Sequence, residues 1–276
     1  MSRTVVRTMT GALALAAATA VIPLASPATA VADSIIIGGR PAHVADSPWV
    51  VALSSRDRFG GTRAGQFCGG VVVEPKKVLT AAHCLSREAL GTDVGQVSDL
   101  RIISGRDELN GTGGKEIPVS GTWVNPGFDA ATNSGDVAVL TLSEALPEQD
   151  TIPMAESGDS AYRAGTSATV YGWGDTTGYG DYASSLRSAG VSIMPDSSCE
   201  QAYPGGRTGT YDASSMLCAG EPEGGYDACQ GDSGGPLVAQ GRLVGLVSWG
   251  NGCGRAGSPG VYTRISAAIG WMTADD

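Results

Sequence analysis

Short apolar runs rich in β-branched residues, separated by Gly, Ser, Asp and Pro, recur along this 276-residue chain and constrain its fold more than any other feature. Val78-Leu79-Thr80 and Val137-Ala138-Val139-Leu140 are examples, the second reading as a strand buried on both faces. Runs of this length suit strands, whereas an amphipathic helix needs apolar residues at 3.6-residue spacing over several turns, and such periodicity is scarce. With 41 glycines and 14 prolines to supply turns, the chain reads as all-β.

The N-terminus has another character. Arg3 and Arg7 form a basic start, Gly11 to Leu24 is alanine-rich and apolar, and Pro23 and Pro27 interrupt that run. Ala28-Thr29-Ala30 and Ala30-Val31-Ala32 both offer small-residue cleavage sites. The pattern predicts a signal peptide over 1–30, with cleavage at 32 as the alternative, and hence a secreted, extracellular protein with no membrane anchor. Six cysteines in an exported chain imply disulfides, although six allow fifteen connectivities. No Cys-x-x-Cys or histidine pair has metal-ligand spacing. Without Arg3, Arg7 and Asp33, the chain's 18 basic and 28 acidic side chains become 16 and 27, a balance of −11 that disfavours nucleic acid as a partner.

Candidate chemistry concentrates in Asp227-Ala228-Cys229-Gln230-Gly231-Asp232-Ser233-Gly234-Gly235-Pro236. A serine hydroxyl attacks a carbonyl at neutral pH only if a base removes its proton and fixed donors stabilise the oxyanion. Ser233 is the candidate nucleophile, and the flanking glycines let the N–H groups of Gly231 and Ser233 point at one spot. The chain has two histidines. His83, closing Val78-Leu79-Thr80-Ala81-Ala82-His83-Cys84, is the candidate base, and His43, in a polar, proline-marked stretch, reads as surface. The base needs a buried carboxylate to orient it. Asp136, opening the apolar run Val137 to Leu140, is preferred over Asp129, whose neighbours are more polar.

These residues resemble the trypsin branch of the chymotrypsin-like serine endopeptidases, in which the same chain order of His, Asp and Ser occurs. The resemblance extends from Ile36 to the C-terminus through Ile36-Ile37-Gly38-Gly39, Cys68-Gly69-Gly70, Thr80-Ala81-Ala82-His83-Cys84, Asp136-Val137-Ala138, Gly172-Trp173-Gly174, Cys218-Ala219-Gly220, Ser248-Trp249-Gly250 and Pro259-Gly260-Val261-Tyr262-Thr263. It implies one protease domain over 36–276, built of two packed six-stranded antiparallel Greek-key β-barrels, about 36–146 and 153–264, with a C-terminal helix near 265–273. It selects the disulfides Cys68–Cys84, Cys199–Cys218 and Cys229–Cys253, for which loop closure suggests about 3 kcal/mol apiece. It makes 31–35 a propeptide. Cleavage before Ile36 frees an amine that pairs with Asp232 and fixes the oxyanion hole. Here Ile35 precedes that bond where relatives often carry Arg or Lys, which implies a separate activating protease.

The resemblance further places Asp227 at the floor of a pocket that selects Arg or Lys. Ala228, Gln230, Ser248, Trp249, Gly250 and Gly260 complete the substrate-binding set, with Ser248 also lending its hydroxyl to Asp136. Ala228, standing where a serine is common, favours Arg over Lys. The expected partners are protein or peptide substrates and protease inhibitors, and the expected state is a monomer. No cofactor is expected. A structural calcium stays open: Asp107, Glu108 and Glu116 lie close in sequence, but the short loop does not clearly match the family's calcium motif. Two other readings compete: a catalytically inactive homologue acting as a binding module, and a narrow processing protease whose choice is set by the loops at 90–95, 111–115 and 176–181.

Overall fold

The computed structural model describes Met1 and residues 37–274; the expected signal peptide, the stub 31–35 and Ile36 lie outside the described residues. The strands are β1 (Arg40–Pro41), β2 (Val50–Ser54), β3 (Gln66–Glu74), β4 (Lys77–Thr80), β5 (Arg101–Ser104), β6 (Lys115–Val124) and β7 (Ala138–Leu142). After them come β8 (Ser167–Gly172), β9 (Arg187–Ile193), β10 (Met216–Gly220), β11 (Pro236–Ala239), β12 (Arg242–Trp249) and β13 (Gly260–Arg264).

Strands β2-β3-β4-β7-β6-β5 close into one antiparallel barrel. A second closes as β8-β9-β10-β13-β12-β11, with β1 added along β9. Both barrels therefore follow one Greek-key order, in which the third strand neighbours the sixth. Closure removes the sheet edges that would otherwise invite pairing between chains.

Alternate side chains fill each barrel. Val51, Leu53, Val72, Val78, Ile102, Ile117 and Leu140 pack inside the first, and Val170, Val191, Leu217, Leu237, Val244 and Tyr262 inside the second. Each fully buried Val, Leu or Ile contributes roughly 1.5–3 kcal/mol relative to exposure. A third cluster joins Val71 and Leu79 of the first barrel to Val238 and Leu246 of the second and to the C-terminal helix Ile265–Ala274, which docks through Ile265 and Ala268. The strand after Asp136 is not buried on both faces: Ala138 and Leu140 are fully buried, Val139 only partly, and Thr141 is exposed. An antiparallel barrel buries its inner face while its outer face keeps partial solvent contact, so alternation replaces a continuous apolar strand. Among the described residues no helix is long and apolar enough to cross a membrane.

Candidate active site

The runs that precede His83 and follow Asp136 are neighbours in the first barrel. β4 pairs with β7 in the register Leu79↔Val139 and Thr80↔Ala138, so the segment leaving β4 and the one entering β7 meet at one end. There His83 sits in a 3₁₀ turn, Ala82–Leu85, and Asp136 is fully buried. The carboxylate holds the histidine twice: Oδ1 accepts from the His83 backbone N–H at 2.9 Å, and Oδ2 lies 2.7 Å from Nδ1. Ser248 Oγ donates to the same Oδ2 at 2.5 Å, and Thr263 Oγ1 donates to the Asp136 carbonyl at 2.7 Å. These bonds compensate a charge that burial alone would make costly. Burial pushes the His83 imidazole down, but its hydrogen bond to Asp136 and that residue's charge outweigh it, and the net shift is upward.

Ser233 reaches this corner from the second barrel. Its carbonyl accepts from Gly69 N–H at 2.8 Å, beside the Cys68–Cys84 disulfide. Cys84 Sγ lies 3.8 Å from His83 Nε2 and 3.6 Å from the Ser233 carbonyl, so histidine and serine flank one sulfur. Gly231 has φ +93°, and a Cβ there would press on Gly174 Cα at 3.2 Å, so glycine is required. The Gln230 carbonyl accepts from Asp175 N–H at 2.7 Å. Across a trans peptide the Gly231 N–H points the opposite way. Among the described residues no protein acceptor bonds the N–H of Gly231 or of Ser233. Two such donors beside a hydroxyl can receive a developing oxyanion.

Beside them opens a cavity lined by Asp227, Ala228, Gln230, Trp249, Gly250 and Gly260. Asp227 is 3% exposed; Oδ2 accepts from Gly254 N–H at 3.0 Å, while Oδ1 has no hydrogen-bond partner among the described residues. Burial pushes its pKa up to about 7, opposed by backbone N–H groups and reinforced by the charge of Asp232. An orphaned carboxylate oxygen in a pocket wide enough for a side chain suits a cationic group. A Cβ on Gly260 would come within 2.5 Å of Asp227 Oδ1 and block it. Trp249 packs edge-on against Tyr203, with ring centroids 4.7 Å apart. The Cys229–Cys253 disulfide braces the wall, and Cys199–Cys218 lies in the second barrel's outer core.

Asp232 is fully buried, accepting from Gly174 N–H at 2.7 Å and Cys229 N–H at 3.0 Å, and burial raises its pKa to about 6. Its expected partner amine, at Ile36, lies outside the described residues, but the next residue is anchored nearby, since Asp227 N–H donates to the Ile37 carbonyl at 3.3 Å. The competing candidates stand apart. His43 is 67% exposed and paired with Asp107, and Asp129 closes its own turn through Ala131 N–H and Thr132 Oγ1.

A calcium ion does not fit the three carboxylates considered for it. Asp107 is taken by His43 and Val44 N–H, Glu108 by Ser185, and Glu116 by Arg56, Arg101 and Arg106. Hydrogen bonding to Arg56, with Arg106 adding to it, holds the Glu116 pKa at about 2 against its desolvation. Three guanidinium groups occupy the place a cation would need. Among the described residues, the cluster of potential ligands that does converge is Cys68, His83 and Cys84, and its sulfurs are bonded to each other.

Sequence reasoning missed Tyr262, whose buried hydroxyl has no partner among the described residues and which lines the cavity, Thr263, and a group around Gln66, Asp175 and Arg63, of which Gln66 and Asp175 bond the carbonyls on either side of the Gly231 N–H. Tyr262 and Thr263 stood inside a recognised motif, but nothing in their spacing revealed where their hydroxyls would point.

Comparison with known proteins agrees with this geometry. The Trypsin family model matches residues 36–272. A protein named Trypsin from Saccharopolyspora erythraea is 43% identical over 232 residues, covering 84% of this chain and 94% of that one. Trypsin 5G1 of Aedes aegypti is 36% identical over 241 residues, with 86% and 83% covered, and Trypsin I-P1 of Gallus gallus 33% over 254 residues, with 91% and 93% covered.

Proposed function

Because this chain belongs to the trypsin family of serine endopeptidases, we propose that it is a secreted protease, made as a zymogen, that cleaves peptide bonds after Arg in preference to Lys through Ser233, His83 and Asp136. The observation that carries the catalytic assignment is the double hold of Asp136 on His83, together with the N–H groups of Gly231 and Ser233, which bond no protein acceptor among the described residues. His83 Nε2 takes the proton as Ser233 Oγ bonds to the substrate carbonyl carbon, and the carbonyl electrons move to an oxygen held by Gly231 and Ser233 N–H. Collapse breaks the C–N bond, and His83 gives its proton to the leaving amine. Water then attacks the acyl-enzyme by the same route. Asp136 stays ionised, fixes the tautomer through Nδ1–H and stabilises the imidazolium.

The orphaned Oδ1 of Asp227 supports the basic preference. A guanidinium reaches it with two prongs, whereas an ammonium finds no serine hydroxyl at Ala228. The disulfides support an oxidising destination. Activation before Ile36 is supported by the Asp227 to Ile37 bond and by buried Asp232, which has no cationic side chain hydrogen-bonded to it among the described residues. With Ile35 before the cleaved bond, a protease accepting apolar residues performs the cut. The Ile36 amine, its pKa raised by Asp232, keeps the pair below that pKa and loses it above, while His83 must be neutral to act as base; activity therefore peaks near pH 8.

The test is hydrolysis of matched Arg, Lys, Phe and Ala peptide amides by protein sequenced to begin at Ile36. Turnover of Arg above Lys, with little of Phe or Ala, supports the assignment. Equal turnover of all four refutes it, and cleavage confined to a few extended sequences favours the processing protease.

A further inference from the structure

We propose that Arg63 is a positioning residue for the oxyanion hole: its guanidinium holds Gln66, which bonds the Gly231 carbonyl, and both ends of the loop from which Asp175 bonds the Gln230 carbonyl. The inference rests on the roles proposed for Ser233 and Gly231. Arg63 (φ 51°, ψ 34°) and Ala64 (φ 53°, ψ 24°) are consecutive non-glycine residues in the left-handed region. Such backbone persists only where its surroundings over-determine it. Here Arg63 N–H donates to Asn110 Oδ1 at 3.0 Å, and Ser54 Oγ donates to the Ala64 carbonyl at 2.5 Å.

The side chain links the first barrel to the loop at 174–182. Nε donates to the Ala183 carbonyl at 2.9 Å, Nη2 donates to the Trp173 carbonyl and to Gln66 Oε1, and the guanidinium carbon stands 4.9 Å from the Tyr182 ring centroid. Both ends of that loop are thus held by one group. From within it, Asp175 N–H fixes the Gln230 carbonyl, and the Tyr182 ring comes within 3.2 Å of where a Gly231 Cβ would stand. On the other side, a guanidinium has donors only, so Gln66 must turn Oε1 toward it. That leaves Gln66 Nε2 to donate to the Gly231 carbonyl at 2.8 Å. The Gly231 carbonyl is thus anchored by a direct partner of Arg63, and the Gln230 carbonyl by Asp175, which belongs to the loop whose two ends Arg63 holds. Burial disfavours the guanidinium's charge, and the charge of Asp232 offsets part of that cost.

The experiment compares activated wild type with Arg63→Met, Gln66→Leu and the double variant, using the inactivation rate by a small fluorophosphonate and kcat and KM on an Arg amide. In inactivation Ser233 Oγ displaces fluoride from phosphorus while His83 takes the proton, and the phosphoryl oxygen enters the same hole without a basic side chain. Arg63→Met is expected to lose roughly tenfold to a hundredfold in inactivation rate and in kcat, less than or comparable to deleting one hole donor, with KM within about twofold. Gln66→Leu is expected to reproduce part of the loss, and the double variant to be no worse than Arg63→Met, because the two act in one chain. An inactivation rate within about twofold of wild type in either single variant overturns the proposal, as does a double loss that is the product of the single ones. If Arg63→Met does not accumulate as folded protein, Gln66→Leu and Arg63→Lys carry the same criterion, a lysine being unable to hold all three acceptors. Wild type that fails to label at Ser233 refutes the catalytic assignment itself, and indifference to Arg over Phe amides refutes only the specificity.

Discussion

Replacing Ala228 with serine adds one hydroxyl to the pocket proposed to read the substrate's cation and should shift its preference toward Lys. Ala228 lines the cavity with Asp227 and Tyr262, and both Asp227 Oδ1 and the Tyr262 hydroxyl are buried with no partner among the described residues. In the proposed specificity, arginine reaches Asp227 with a two-pronged guanidinium and gains little from another acceptor, whereas a lysine ammonium carries three donors and is left short of acceptors. A serine hydroxyl adds one. A typical net hydrogen bond is worth about 1 kcal/mol, or roughly fivefold in an equilibrium. The variant should therefore raise kcat/KM for a Lys amide about fivefold relative to the matched Arg amide, with the absolute Arg value changed less than about twofold. Steady-state kinetics on the two substrates, differing only in the residue before the scissile bond, measures the ratio. An unchanged ratio, or one that moves toward Arg, refutes the argument that lysine lacks an acceptor.

Other consequences concern pH, cations and the orienting carboxylate. With its pKa near 7, Asp227 should be about nine-tenths ionised at pH 8 and one-tenth at pH 6, so benzamidine should bind roughly tenfold more weakly at pH 6; a flat profile removes the buried-charge reading. Because this acid's pKa is raised in the folded state, the empty pocket loses stability as pH rises from about 4 toward 7. Glu116→Gln should cost roughly 2 kcal/mol by removing the carboxylate charge that offsets buried Arg106, a modest value because the carboxylate keeps some solvent contact. The Glu116 contribution, from a depressed pKa, is present above about pH 4.5 and lost as pH falls through about 2, which acid unfolding of the two proteins compares. Asp136→Asn should fold yet lose about 10⁴-fold in kcat, the magnitude known for this triad in the family, and a loss below tenfold contradicts the orienting role.

What the sequence disclosed and what it hid divide along a physical line. The apolar runs at 78–80 and 137–140 announce strands, and their pairing brings His83 and Asp136 to the same barrel end. Alternation along the second run was hidden because small apolar residues occupy the outer face as well as the inner one. Motifs close in sequence were legible where local backbone does the work, as at Gly231, Asp232 and Ser233. Arg63 was not, because Gly60-Gly61-Thr62-Arg63-Ala64-Gly65 has the composition of an exposed turn, and the side chain's acceptors at Trp173 and Ala183 are more than a hundred residues away. Likewise Glu116 stands near acidic neighbours in sequence, while its guanidinium partners include Arg56, sixty residues earlier.

The most direct test of the central claim, that Ser233 forms an acyl-enzyme under a pocket built for a guanidinium, is active-site titration with a 4-guanidinobenzoate ester followed by peptide mapping. A burst of one equivalent per chain beginning at Ile36, with the acyl group on Ser233 and none in Ser233→Ala, is the predicted result. Absence of a burst from correctly processed protein, or acylation at another residue, contradicts it.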